Sequence, residues 1–186
     1  MNQLNRCGWA KSDGMIRYHD EEWGVPLHDD RMLFEFLCLE GAQAGLSWET
    51  ILKKRENYRR VFDEFRPEII AKYNQKKLAA LLGDAGIVRN RMKIASVVQN
   101  AKAFQSVQKE FGSFDEYIWQ FAPSKSGKGP KDYRDVPART EDSDRMSKDL
   151  RKRGFGFVGS TICYAFMQAV GIVNDHSQKC CRRSQV

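Results

Sequence analysis

Residues 29–62, DDRMLFEFLCLEGAQAGLSWETILKKRENYRRVF, carry the pattern that decides the fold. An apolar run follows two aspartates, Asp29 and Asp30, either of which can cap a helix N-terminus. Gly45 and Ser47 then interrupt the run. Beyond them Trp48, Ile51, Leu52, Tyr58 and Phe62 recur near one face at helical spacing. Ser47 is a good cap, and Glu49 in the first turn complements the helix dipole. Two helices joined by a tight turn are therefore expected.

The same period continues outward. Pro67 opens a short helix over PEIIAKYN, and Asn74 caps another over QKKLAALLGD. A long helix is predicted from near Asn90, with Ile94, Val97, Val98, Ala101, Phe104 and Val107 on its stripe. Ser113 and Glu116 form a capping-box pattern before YIWQF. SDRMSKDLRKR reads as a helix ended by Gly154. STICYAFMQAV reads as a last helix, with Ser160 as cap and Gly171 as stop. No strand alternation and no internal repeat appears, so the chain reads as one compact all-α domain over 1–186. A polar loop, APSKSGKGPKDYRDVPARTED, fills 122–142, and loops of that length are more often functional than inert.

The chain has 186 residues, 41% of them apolar and 30% charged, which is ordinary for a soluble protein with a real core. No apolar run approaches the roughly 18 residues of a membrane span. The N-terminal MNQLNRCGWAKSDG lacks the apolar stretch of a signal peptide, so a cytoplasmic location is expected, with all five cysteines as thiols. The net charge of +7 suits a polyanion such as nucleic acid, and it suits a plain basic surface equally well. The basic residues cluster in KKRENYRR (53–60), RNRMK (89–93), KSGKGPKDYR (125–134) and RKRG (151–154).

His176 and Cys180 stand four apart near the C-terminus, and on a helical turn such a pair shares one face. Cys7 and His19 are the matching donors near the N-terminus, with Cys181 a rival to Cys180. Two thiolates and two imidazoles would close a structural zinc site that staples the chain ends together. The plain alternative is polar surface histidines and incidental thiols. Cys38 and Cys163 lie in apolar helices and read as small core residues, while His28 has no evident partner.

Trp9, Tyr18, Trp23 and Trp48 cluster near polar or glycine-bearing turns, and Glu40 ends an apolar helix between the last two. Glu40 either faces solvent or is drawn inside, where an unpaired carboxylate is costly and signals function. Aromatic walls and one carboxylate suit a planar, cationic ring. With the basic surface, that suggests a nucleobase taken from a polyanion. Trp119 reads as core filling. A DNA-binding module without catalysis remains open, as does a hydrolase with zinc-activated water, although the latter needs an open coordination position.

RCGW, YHDEEWGVP, CLEGAQAGLSWETILKKRENY, DAGIVRNRMKI, RGFGFVGSTICYAFMQAVGIVNDH and the terminal Cys pair resemble the bacterial 3-methyladenine DNA glycosylase I family. The matching segments run in order from residue 6 to 181. The resemblance implies an all-α helix-hairpin-helix glycosylase, a monomer acting in the bacterial cytoplasm at the nucleoid. It implies a DNA repair enzyme that flips 3-methyladenine from alkylated double-stranded DNA and hydrolyses its N-glycosidic bond. It also implies that the zinc ligands are Cys7, His19, His176 and Cys180, and that Glu40 is the pocket carboxylate. The base-binding aromatics become Tyr18, Trp23, Trp48 and Trp9, with Met15 where some members carry a further tyrosine. The hairpin becomes Gly83 to Arg91, with Gly86, Arg89 and Arg91 toward DNA. Gly45 and Leu46, in the turn AGLS, become the wedge that fills the hole left by the flipped base.

Overall fold

The computed structural model describes residues 5–124, 127 and 129–186. All regular structure among them is helical: α1 (Asp13–Glu21), α2 (Asp30–Gln43), α3 (Trp48–Val61), α4 (Pro67–Ile70), α5 (Gln75–Gly83), α6 (Arg91–Phe111), α7 (Phe114–Ile118), α8 (Glu141–Lys152) and α9 (Ser160–Ala169). Short 3-10 turns lie at Asp63–Phe65, Trp119–Phe121 and Tyr133–Asp135.

The helix α2 is the centre of the molecule. Ten consecutive residues, Leu33 to Ala42, are buried, because α3, α6, α7 and α9 pack around it. Leu33, Phe34, Leu37 and Leu39 are each at most 1% exposed, and such burial contributes roughly 2 kcal/mol per side chain. A helical stretch enclosed on every side has no solvent face. Two of the three carboxylates of α2, Glu35 and Glu40, fall in that buried stretch and are enclosed for that reason. Glu35 is matched by Arg55 Nε at 2.7 Å and Arg59 Nη2 at 2.8 Å from α3, which clamps the two helices. A buried charge without such partners would cost several kcal/mol.

The capping chemistry divides cleanly between neighbouring residues. Asp29 accepts from the Met32 amide and starts α2, whereas Asp30 reaches across to the Phe114 and Asp115 amides and starts α7. Ser47 and Asn74 cap α3 and α5 as expected, and Asn90, near which the long helix was placed, caps α6. At α7 only the Ser113 half of the capping box forms. Gly159, not Ser160, is the cap residue of α9, and Ser160 is its first helical residue. Gly171 has φ +76°, and a Cβ there would lie 2.5 Å from the Pro26 nitrogen, so no other residue fits without backbone movement.

Two features had no expectation behind them. The helix α1 is too short and too polar to show a stripe, yet it buries Tyr18 and His19. The 3-10 turn Asp63–Phe65 is left-handed, with φ between 51° and 56° at three non-glycine residues. His28, which lacked an evident partner, bonds Asp115 at 2.9 Å and stacks on Trp119.

Candidate active site

A cavity of about 400 Å³ opens where α1, α2, α3 and α9 converge. It is within the size range of small-molecule sites. Trp9, Met15, Tyr18, Trp23, Glu40 and Trp48 all line it. Tyr18 and Trp48 stand 5.3 Å apart, and Trp9 and Trp23 meet edge to face at 5.0 Å. Trp48 is steadied from behind: Phe36 stacks on it at 6.4 Å, and the Arg55 guanidinium lies over Phe36 at 5.0 Å.

Glu40 points inward and is 4% exposed, which settles its orientation. Burial alone pushes its pKa up to about 8. Among the described residues its Oε2 has no hydrogen-bond partner, and neither does the indole nitrogen of Trp48. Leaving a buried polar atom unpaired costs about 1–3 kcal/mol, so two in one cavity point to a missing ligand. The phenol of Tyr18 is held well above its usual range by burial, with the Glu40 and Glu22 carboxylates adding to the effect.

The cavity has a further wall that no local pattern announced. Tyr133 and Val136 reach in from the 122–142 loop, and Gln43, Gln168 and Asp175 add polar groups. Tyr133 lies so close to Gly8 that a Cβ there would meet its ring at 2.8 Å. Residues 125, 126 and 128 of that loop, part of its basic cluster, fall outside the described residues.

Cys7, His19, His176 and Cys180 converge behind the aromatic wall, all buried, with their ligand atoms within 4.8 Å of one another. Cys7 Sγ lies 3.7 Å from His176 Nδ1, and Cys180 Sγ lies 3.4 Å from His176 Nδ1 and 3.3 Å from His19 Nε2. A tetrahedral zinc with sulfur at about 2.3 Å and nitrogen at about 2.0 Å has ligand–ligand edges of about 3.3–3.8 Å. Each histidine offers one nitrogen to the centre and is held by the other: His19 Nδ1 to Asp20 at 2.7 Å, His176 Nε2 to the Trp23 carbonyl at 3.0 Å. That is the usual outer support of a metal-binding imidazole. Burial lowers both imidazole pKa values, that of His176 to about 4, which keeps them in the neutral, ligating form. Residues 176–180 are not a helical turn, as four-residue spacing suggested. They form an irregular turn, closed by the Cys180 amide on the Ser177 carbonyl at 2.8 Å. Cys181 is not part of the group.

The ligand group and the cavity share their aromatic residues. Trp9 packs on His19 at 5.3 Å, and Trp23 on His176 at 4.6 Å. Anything that orders the four ligands therefore orders the cavity wall.

On the outer surface, Gly45 sits at φ +77° and Leu46 is 42% exposed. Lys93 holds this turn from the first turn of α6, donating to the Ala42 and Ala44 carbonyls at 2.8 and 2.6 Å. In the hairpin, the Gly86 amide already bonds Asp84 at 2.7 Å, the Ile87 amide bonds the Asp84 carbonyl and the Val88 amide bonds the Tyr58 hydroxyl. Those three amides are therefore engaged internally. Arg89 and Arg91 are exposed, and among the described residues neither side chain has an ion-pair partner.

The sequence profile of the methyladenine glycosylase family matches residues 9–183. The chain belongs to the methyladenine glycosylase family. It is 47% identical over 180 residues to DNA-3-methyladenine glycosylase 1 of Escherichia coli, with 96% of each chain covered. It is similar to the crystal structure of a 3-methyladenine DNA glycosylase I at 46% identity, with a TM-score of 0.91 and coverage of 95% of this chain and 98% of that one. It is similar also to a variant 3-methyladenine DNA glycosylase I solved in complex with 3-methyladenine, at 32% identity, a TM-score of 0.92 and coverage of 97% and 98%. The all-helical expectation for this methyladenine glycosylase agrees with these structures. Among the described residues no helix is long and apolar enough to cross a membrane.

Proposed function

We propose that this chain is a DNA-3-methyladenine glycosylase that takes N3-methylated adenine from alkylated duplex DNA and hydrolyses its N-glycosidic bond, leaving an abasic site. The carrying observation is the pair of unpartnered polar atoms in the aromatic cavity, Glu40 Oε2 and Trp48 Nε1. An acceptor and a donor in one cavity can complement the amino group and ring nitrogen of an adenine edge.

The mechanism follows from the charge of the lesion. Methylation at N3 makes the base formally positive, so the glycosidic bond is already weak and the base leaves neutral. No strong general acid is required. The protein has to extract the base, hold it and admit water. Glu40, protonated in the free cavity, gives up its proton as the cationic ring enters, then accepts from the base and opposes its charge, while Tyr18 and Trp48 frame the ring and Trp9, Trp23 and Met15 shape the wall. Neutral adenine gains less from such a pocket and carries a stronger bond, which accounts for selectivity.

Leu46 is the wedge, presented by the Gly45 turn. Arg89 and Arg91 meet the phosphates with their side chains, and Gly86 serves sterically, where a Cβ would collide with Asn57. Cys7, His19, His176 and Cys180 would hold a zinc ion, which would supply structure only, because four protein ligands would leave no coordination position open. The chain works as a single domain and a monomer.

Incubating the protein with dimethyl-sulfate-treated duplex and identifying the released base tests this reading. Release of 3-methyladenine is expected. A duplex that keeps its methylated purines would refute it. Glu40→Gln should weaken binding of free 3-methyladenine in a folded protein, and unchanged affinity would remove Glu40 from the role.

A further inference from the structure

The cavity holds a second carboxylate. Asp175 lies in the segment after α9 and lines the same cavity as Glu40, from a different wall. Its Oδ2 accepts from the Tyr164 hydroxyl at 2.5 Å and from Gln168 Nε2 at 2.9 Å. Both donors project from α9, and Tyr164 is buried. No hydrogen bond reaches Oδ1 from the described residues, so one oxygen fixes the group while the other is left for something else. Asp175 also borders a second cavity, of about 260 Å³, lined by Thr140, Asp142 and Asn174. It therefore stands between the base pocket and a second space of mixed lining whose polar groups can hold water.

We propose that Asp175 faces the sugar: its free oxygen opposes the positive charge that develops at C1′ and accepts a hydrogen bond from the incoming water. The inference rests on the glycosylase reading above. The bond between C1′ and the base nitrogen breaks with its electron pair going to the base, which cancels the charge of the ring. The water oxygen then gives a pair to C1′, and its surplus proton leaves to solvent. Asp175 forms no covalent bond and needs no proton transfer. Its Tyr164 and Gln168 donors hold it in place before the charge appears, which is what makes electrostatic stabilisation effective. Labour is thereby divided between Glu40, which reads the ring, and Asp175, which serves the sugar.

The test compares wild type with Asp175→Asn in single-turnover release of 3-methyladenine from alkylated duplex. Affinity for the free base, by tryptophan fluorescence, and bound metal are measured alongside. Release should slow by about 10- to 100-fold while free-base affinity stays within about twofold and metal content is unchanged. A release rate within about twofold of wild type overturns the proposal. So does a loss of free-base affinity in proportion to the rate, which would place Asp175 on the ring. If the substitution costs metal or lowers the melting temperature, Tyr164→Phe decides, because it leaves residues 174–176 intact. It should slow release about 3- to 10-fold at unchanged free-base affinity, and a wild-type rate overturns the proposal. Wild-type protein that releases nothing overturns the glycosylase reading itself, a result distinguishable from active wild type with an equally active variant.

Discussion

Glu40→Gln should make the free protein more stable, and more so as pH rises. In the folded chain the carboxyl is enclosed by α2 and its neighbours, with one oxygen unpaired. Burial raises its pKa from 4.5 to about 8. The folded protein thus keeps a proton that the unfolded chain releases above pH 4.5. Stability is complete below that pH and is lost progressively as pH climbs to about 8. At about 1.4 kcal/mol per pH unit, the full loss amounts to about 5 kcal/mol above pH 8, and to about 3 kcal/mol at pH 7. Glutamine cannot ionise and escapes this loss, although its amide adds a constant offset. Urea unfolding of metal-saturated wild type and variant at pH 5, 7 and 9 measures the difference. At pH 5 the ionisation contributes under about 1 kcal/mol, and the gap should then open in favour of the variant by several kcal/mol at pH 9. Parallel stability curves from pH 5 to 9 would refute the reasoning, because they would mean that Glu40 is solvated or paired. The same substitution should weaken base binding, so the site holds a destabilising group for the sake of its ligand.

Cys180→Ser, or removal of metal by a chelator, should lower the melting temperature by about 10 °C, equivalent to about 3 kcal/mol for a chain of this size, and residual excision should scale with the folded fraction. Abolished chemistry in a fully folded Cys180→Ser protein would instead make the metal catalytic. Leu46→Ala removes a side chain that is 42% exposed, so stability should change by under about 1 kcal/mol while excision from duplex falls and free-base affinity holds. Equal excision by that variant would exclude the wedge. Arg89→Ala and Arg91→Ala should each reduce the slope of log affinity against log salt by about one, read by titrating duplex at several salt concentrations. Gly171→Ala should cost more than about 2 kcal/mol in urea unfolding, because φ is +76° and Pro26 occupies the Cβ position.

The helices were legible because their signals are local. Ser47, Asn74 and Asn90 cap the turns that follow them, and Ile51, Ile94 and Phe104 recur at the helical period. The four metal-ligand candidates were legible by residue type, since histidine and cysteine are scarce in this chain, although the turn that joins His176 to Cys180 was not. Other features depend on distant packing. The helix α1 lacks a stripe because its two buried residues are adjacent, Tyr18 facing the cavity and His19 the ligand group. Tyr133 and Asp175 sit in polar segments where nothing nearby distinguishes them from solvated residues.

Composition and periodicity by themselves determined an all-helical body, its helix starts, and the kinds of residue available to grip a metal or a ring. Tertiary structure alone decided that Glu40 points inward, because only the packing of four other helices around α2 removes its solvent face. It alone placed Asp175 in the same cavity, through bonds to Tyr164 and Gln168 on α9. Helical spacing records the neighbours one turn away, whereas burial and pKa depend on what folds back over a residue from elsewhere in the chain.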